Sequence, residues 1–208
     1  MTRERRASGN TLVLVRHAHT EPVGPNAREW PLSARGRTEA AQLAGWSGWA
    51  EVTAIVASTE VKAIETAMII AAPHPHLVAL PPVAALGEVD RRGVFVPDYE
   101  AAVAAFFAEP DDSPCGWEAA TAARTRFAAA VDATMAPFAG QSVAVVAHGL
   151  ILALYLSTLV GGPPADLAHW RAVPFASVAR ASYATEGSDI LVHPFMGFVQ
   201  LSQTDCGG

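Results

Sequence analysis

Residues 11–17 read TLVLVRH, a continuous run of aliphatic and β-branched side chains that ends in Arg16 and His17. A short apolar run of this kind predicts a strand that is buried on both faces of a sheet. Residues 142–149, SVAVVAHG, repeat the pattern, and here the strand ends in His148. Because ligands of open α/β sheets bind beyond the carboxyl ends of the strands, parallel pairing would place the two histidines at one edge. Two unrelated histidines at loop starts are the alternative.

Strands and helices alternate along the rest of the chain. The predicted strands are residues 11–15, 52–57, 77–80, 142–147, 178–183 and 190–193, and the predicted helices are residues 33–45, 60–72, 98–108, 117–136 and 149–159. This order predicts an α/β fold, a three-layer α/β/α sandwich with a mainly parallel central sheet. We expect one domain over residues 11–202, between flexible tails at residues 1–10 and 203–208.

Composition excludes several classes of protein. With 51% hydrophobic and 16% charged residues the chain is too apolar to be disordered, and its net charge of −6 argues against nucleic-acid binding. Two cysteines, Cys115 and Cys206, are too few for a disulfide framework, which favours a reducing compartment and a cytoplasmic location. Residues 142–162 lack Asp, Glu, Lys and Arg, but the break at His148 predicts a strand, a turn and a helix there, so we expect no membrane contact.

Basic residues lie close to the predicted site. Arg16 precedes His17, and Lys62 lies near the start of the helix that follows the second strand. The helix that begins at Gly149 would direct backbone N–H groups to the same edge. These groups match the nearly dianionic phosphate of a monoester, and the cations would keep a nitrogen of His17 unprotonated and free to attack phosphorus. Taken alone, Lys62 is more simply explained as a solvated helix residue.

A general acid would complete the requirements for cleaving a phosphate ester, because the leaving oxygen needs a proton. Glu88 lies in the irregular segment LGEVDRRG, residues 86–93, where a loop can hold a carboxyl group over a pocket. Asp90 is a competing candidate, and a plain surface carboxylate is the third possibility. The residues alone leave this choice open.

Five segments, taken in order, carry a family resemblance. They are LVRHAHTEP at residues 14–22, PLSARGRTEAAQLA at 31–44, ASTEVKAIETA at 57–67, LGEVDRRGVF at 86–95 and VAVVAHGLI at 143–151. Together they resemble the signature of branch 1 of the histidine phosphatase superfamily, the phosphoglycerate mutase-like group. The resemblance spans about residues 11–160 and implies that group's fold for the catalytic domain.

The resemblance implies a role for each matching position. It makes His17 the phosphorylated nucleophile and Glu88 the proton donor, with His148 contacting the transferred phosphoryl oxygens. It assigns phosphate binding to Arg16, Lys62 and Thr20, together with the helix start at Gly149. The family implies a small phosphorylated substrate and neither a metal nor an organic cofactor.

Three departures from the family pattern matter. Ala18 stands where the family usually has glycine, and His19 stands where it often has glutamate. Lys62 replaces the usual second arginine, which keeps the charge but loses the planar, two-pronged hydrogen bonding of a guanidinium group. We therefore expect weaker phosphate binding than arginine would give.

Other functions stay open. The mutases carry Ser-x-Trp-Asn after the first motif and Glu-Arg-x-Tyr-Gly at the acid loop, whereas residues 19–26 read HTEPVGPN and residues 88–93 read EVDRRG. Hydrolysis is therefore favoured over mutase chemistry. A phospholigand-binding module with feeble catalysis and a zinc site of His17, His19 and His148 are the remaining alternatives. The apolar residues 94–96 and Trp117 can build a lid over the leaving group or pack helices, while the substrate and the oligomeric state are not predicted.

Overall fold

The computed structural model describes residues 10–94, 96–159, 164–183 and 199–200. Its strands are β1 (Asn10–Arg16), β2 (Val52–Ala57), β3 (Val78–Ala79), β4 (Ser142–Ala147), β5 (Ser177–Tyr183) and β6 (Val199–Gln200). They form one six-stranded sheet in the order β3-β2-β4-β1-β5-β6. The pairs among β1, β2, β3 and β4 are parallel, whereas β5 pairs antiparallel with both β1 and β6.

Helices cover both faces of this sheet. They are α1 (Ala34–Ala44), α2 (Val61–Ala71), α3 (Tyr99–Ala108), α4 (Ala120–Met135), α5 (Gly149–Leu159) and α6 (Leu167–Arg171). Side chains of α1 and α2 share one apolar core with one face of the sheet, and side chains of α3, α4 and α5 share a second core with the other face. The arrangement confirms the predicted three-layer α/β/α sandwich.

The central strand β1 shows why this sheet needs two covered faces. Leu12 and Leu14 lie in one core, Val13 and Val15 lie in the other, and all four are 0% exposed. Successive side chains of a strand point to opposite faces, so a run without a polar residue is stable only between two layers. Each such side chain contributes about 1.5–3 kcal/mol by its burial.

Capping residues set the starts of two predicted helices near the predicted positions. The Ser33 side chain accepts the N–H of Gly36 at the start of α1, and Asp98 accepts that of Ala101 at the start of α3. The prediction was wrong for residues 117–119, because α4 begins only at Ala120. These residues turn toward the acid loop instead, where the N–H of Glu118 donates to the carbonyl of Asp90 at 2.8 Å.

Two short elements were not predicted. Helix α6 has only five residues, too few for a helical period to stand out, although Asp166 caps it by accepting the N–H of His169. Strand β6 has two residues. The predicted strand at residues 190–193 lies outside the described residues. Within the described ranges, no helix combines the length and the apolar character that crossing a bilayer requires.

Candidate active site

The two strands that end in histidine are neighbours in the sheet. β1 and β4 run parallel with Arg16 opposite Ala147, so both strands deliver the next residue to one edge. The backbone N–H of His17 donates to the carbonyl of Ala147 at 3.0 Å, which ties the two ends together. The imidazole centroids of His17 and His148 lie 5.1 Å apart, with their planes inclined at 56°.

The hydrogen bonds of His17 assign its tautomer. Its Nδ1 lies 2.8 Å from the carbonyl oxygen of Ala18, which can only accept, so Nδ1 carries the proton and Nε2 keeps a free lone pair. Burial lowers the pKa of His17 well below 6.5, and His148, Arg16 and Lys62 lower it further. The ring is therefore neutral at pH 7, as a nucleophile must be.

His148 is completely buried and lies behind the cavity wall formed by His17. Its Nε2 lies 2.7 Å from the hydroxyl oxygen of Ser58, and this hydroxyl also accepts the N–H of Glu60 at 3.3 Å. We assign the hydroxyl proton to the bond with Nε2, which leaves the ring proton on Nδ1. No described residue partners that Nδ1. Burial, followed by the charges of Lys62 and Arg16, lowers the pKa of His148 well below 6.5.

Arg16 is held at the inner end of the cavity by its neighbours. One guanidinium nitrogen donates to the carbonyl of Val173, and the Cζ atom lies 4.0 Å from the centre of the Phe175 ring. Its buried Nε has no hydrogen-bond partner among the described residues. A Cβ atom added at Gly149 would come within 2.9 Å of Arg16 Cζ and 3.0 Å of Trp170 Nε1. Glycine at 149 thus lets the backbone of α5 approach the guanidinium group.

Lys62 lies in the cavity wall, but it is already paired. Its ammonium group forms an ion pair with Glu60 at 2.5 Å, and the two side chains are 6% and 5% exposed. The ammonium also donates to the carbonyl of Ala27 at 2.7 Å, so one of its three N–H groups is left for a ligand. Glu60 was not among the predicted site residues, because a glutamate just before a helix looks like an ordinary first-turn acid.

Glu88 lies between the helix α5 and the cavity. Its Oε1 accepts the N–H groups of Val89 and Ile151 at 3.1 and 2.9 Å, while its Oε2 accepts the N–H of Leu150 at 3.1 Å. At residues 150 and 151, the N–H groups at the start of α5 therefore hold the carboxylate of Glu88. Phosphate binding at Gly149 stays a prediction.

Asp90, the competing acid, lies elsewhere. It forms an ion pair with Arg28 at 3.2 Å and contributes to a separate cavity of about 340 Å³. Glu88 contributes to both cavities, so of the two acids it is the one on the wall shared with His17.

The main cavity has a volume of about 530 Å³, and His17 is one of the residues that line it. Arg16, Thr20, Lys62 and Glu88 also line it, together with an aromatic wall formed by Trp30, Tyr99, Trp170 and Phe175. This wall was missed in the sequence, since its rings come from three separate segments. His19 instead binds the hydroxyl of Ser33 at 2.9 Å. Trp117 is buried in the core, which makes it a packing residue.

The cavity lining carries more basic than acidic side chains. Arg16, Lys62, Arg91 and Arg171 line it together with Glu88, and Glu60 pairs with Lys62. Both histidines are neutral by the pKa shifts above. In the part of the chain that the structure describes, no group of three or more His, Cys, Asp or Glu residues is arranged to hold a metal ion.

Comparison with known proteins gives this arrangement a context. A family model described as the histidine phosphatase superfamily (branch 1) matches residues 12–194. Bacillus stearothermophilus YhfR superposes with a TM-score of 0.68 at 22% identity, over 88% of this chain and 96% of that one. Mycobacterial glucosyl-3-phosphoglycerate phosphatase in complex with VO3 superposes with a TM-score of 0.62 at 25% identity, over 83% and 92%. No match was found among curated proteins.

Proposed function

The chain belongs to branch 1 of the histidine phosphatase superfamily, and we propose that it hydrolyses a small phosphate monoester through a phosphohistidine intermediate on His17. The observation that carries the proposal is a pair of buried site nitrogens without partners among the described residues: Arg16 Nε, which is a donor, and His148 Nδ1, which is a donor in the tautomer assigned above. Buried donors of this kind call for an acceptor. The oxygens of a phosphoryl group on His17 Nε2 would supply it.

The first half of the reaction forms the intermediate. The Nε2 lone pair of His17 attacks phosphorus as the bond to the leaving oxygen breaks. Arg16, Lys62 and His148 donate hydrogen bonds to the phosphoryl oxygens, whose charge they stabilise in the transition state. Glu88 gives a proton to the leaving oxygen, and Oε2 is the oxygen that carries it, because Oε1 already accepts two backbone N–H groups.

The second half releases phosphate. The carboxylate of Glu88 takes a proton from a water molecule, the water oxygen attacks phosphorus, and the phosphorus–nitrogen bond breaks. His17 recovers its lone pair and Glu88 recovers its proton. No metal takes part in this scheme.

The buried ion pair of Glu60 and Lys62 favours hydrolysis over mutase chemistry. A mutase must retain an anionic intermediate long enough to reorient it, whereas a phosphatase must release phosphate. Glu60 offsets the charge of Lys62 in a buried pair, which weakens the hold on any anion. Incubation with 2- and 3-phosphoglycerate and a bisphosphate primer tests this choice, and rapid interconversion would reverse it.

The phosphohistidine is tested by trapping it. Quenching with SDS at alkaline pH during turnover of a ³²P-labelled monoester is expected to leave label on His17 of the wild-type protein, and this label is expected to be lost on treatment with acid. His17→Ala is expected to lose both the label and the turnover of p-nitrophenyl phosphate, and His76→Gln, on the far side of β2, is expected to keep both. Label on another residue, or full turnover by His17→Ala, would end the proposal.

A phospholigand-binding module is the second candidate, and the observation that favours it is Lys62 at the position where the family usually has its second arginine. Its signature would be saturable binding of phosphate by the wild-type protein with no hydrolysis of any monoester in a broad panel.

A further inference from the structure

The aromatic wall is larger than phosphate binding requires. Trp30 follows a short 3-10 helix at Ala27–Glu29, Tyr99 begins α3, and Trp170 lies in α6. Together with Phe175 they border a cavity of about 530 Å³. Volumes of this size hold ligands as large as drug molecules, so the space beyond the phosphate end is suited to a sizeable leaving group.

The rings are held in place before any ligand binds. Trp30 Nε1 donates to the carbonyl of Gly24 at 3.0 Å, which fixes the indole on its loop. The Tyr99 ring lies 5.8 Å from the buried ring of Trp117 and 6.0 Å from Trp170, and it meets Trp170 edge to face. Rings fixed in this way bind a ligand with little further loss of side-chain freedom.

Guanidinium planes add to the flat surfaces of the cavity. Arg91 Cζ lies 5.5 Å from the centre of the Tyr99 ring, and Arg16 Cζ lies 4.0 Å from that of Phe175. Burial raises the pKa of Tyr99 to about 12, so its hydroxyl stays neutral and the ring keeps its apolar surface. Aromatic rings and guanidinium planes both favour partners with a flat π-face.

We propose that the substrate is a phosphomonoester whose leaving group carries a planar aromatic ring, which stacks in the cavity against Trp30, Tyr99 and Trp170. This inference rests on the proposed phosphatase function. The phosphate end fixes one end of the ester, and the rings select the other end by shape and polarisability. A saturated ring of the same size fills the space but lacks the π-face, and a sugar has hydroxyl groups where the wall offers rings.

Three esters with primary alkoxide leaving groups separate ring stacking from leaving-group chemistry. They are benzyl phosphate, cyclohexylmethyl phosphate and glucose 6-phosphate. The expected kcat/KM for benzyl phosphate exceeds that of either other ester by about tenfold, equivalent to about 1.4 kcal/mol. Equal values for benzyl and cyclohexylmethyl phosphate would overturn the proposal and leave the phosphatase function intact.

Substitutions in the aromatic wall test where the aromatic ring of the leaving group binds. Trp170→Leu and Trp30→Leu are each expected to lower kcat/KM for benzyl phosphate several-fold while changing that for cyclohexylmethyl phosphate by less than about twofold, since leucine keeps an apolar surface without a π-face. Trp46→Leu, on the opposite side of the sheet, is the matched control. A benzyl preference that survives both wall variants would contradict the proposed position of the ring.

Binding without turnover distinguishes the two proposals. Benzylphosphonate and cyclohexylmethylphosphonate cannot be hydrolysed, so calorimetry measures their affinity for the wild-type protein whether or not it is an enzyme. Tighter binding of benzylphosphonate that depends on Trp170, without any phosphoenzyme, would support the ring site and refute the phosphatase function. Equal binding of the two phosphonates would refute the ring site alone.

Discussion

The carboxylate of Glu60 and the ammonium of Lys62 form an ion pair that is almost fully shielded from solvent, at 5% and 6% exposure. It lies beside the two histidines, since Glu60 Oε1 is 3.6 Å from His148 Nε2. A buried carboxylate at this place opposes the binding of an anion and competes with it for Lys62.

Replacement of Glu60 by glutamine is therefore expected to tighten phosphate binding. The amide oxygen can still accept the N–H of Glu88, which Glu60 accepts at 2.9 Å, while the negative charge is gone. We expect the inhibition constant of inorganic phosphate to fall about tenfold, equivalent to about 1.4 kcal/mol. The free protein is expected to unfold at a lower temperature because Lys62 loses its partner. Glu51→Gln, at the exposed pair with Arg180, is the control, and an unchanged inhibition constant in Glu60→Gln would show that the pair does not restrain phosphate.

Lys62→Arg tests the missing guanidinium group at the same position. An arginine can pair with phosphate through two parallel hydrogen bonds, so we expect phosphate inhibition to strengthen by several-fold. The gain should be larger in the Glu60→Gln background, because Glu60 there no longer holds the new side chain. Additive effects of the two substitutions, measured as a double-mutant cycle, would mean that residues 60 and 62 act independently on the ligand.

Glu88→Gln separates proton donation from phosphate binding. Without a proton donor, turnover of an alkyl phosphate is expected to fall by about 10²–10³, whereas p-nitrophenyl phosphate should lose less than about tenfold because nitrophenolate leaves without a proton. Asp90→Asn should leave the ratio of the two substrates unchanged, since Asp90 pairs with Arg28 outside the main cavity. The same loss for both substrates in Glu88→Gln would point to a structural role at the start of α5.

Gly149→Ala is expected to impair phosphate binding with little effect on stability. The added Cβ would displace the end of the Arg16 side chain, which it approaches within 2.9 Å, and alanine is otherwise favourable in a helix. A displacement of about 1 Å at a catalytic group can lower the rate by about 10²-fold. The expected result is a large drop in kcat/KM with a melting temperature near that of the wild type, and full activity in the variant would mean that Arg16 does not need its observed position.

The buried histidines predict how stability depends on pH. Burial lowers the pKa of both His17 and His148 well below 6.5, so below pH 6.5 the unfolded chain binds protons that the folded protein does not. Their contribution to stability is complete above pH 6.5 and declines as the pH falls below it, by up to about 1.4 kcal/mol per pH unit for each histidine. Urea unfolding at pH 7.5 and 5.5 measures this decline. His17→Asn should make it shallower, and an equally steep decline in that variant would mean that His17 is not buried in its neutral form.

Much of the fold follows from local pattern. The run at Ser142–Ala147 is apolar throughout and ends at a histidine, so both its strand and the edge that it reaches were predictable. Arg16 and His17 follow the end of a predicted strand and Lys62 lies near the start of a predicted helix, whereas Glu88 reaches the same cavity from a segment predicted to be irregular.

The features that were missed depend on tertiary contacts. Glu60 could be recognised as a site residue only from its contacts with Lys62 and Glu88. Trp30 and Trp170 come to line one cavity only in the folded protein. The start of α4 was misplaced because a contact between Glu118 and the acid loop overrides helix propensity. The periodicity of hydrophobic residues in a sequence does not predict contacts between residues that are far apart in the chain.

The reversed direction of β5 has an evolutionary consequence. Because β5 is antiparallel to β1, Val178 at its beginning pairs with Val15 at the end of β1, and the preceding segment reaches the active edge. That segment, with Phe175 at one end and Trp170 at the other, contacts Arg16 and lines the main cavity. Substitutions at its outer positions can thus retune substrate choice among descendants of this protein, while the strands that carry the histidines stay unchanged.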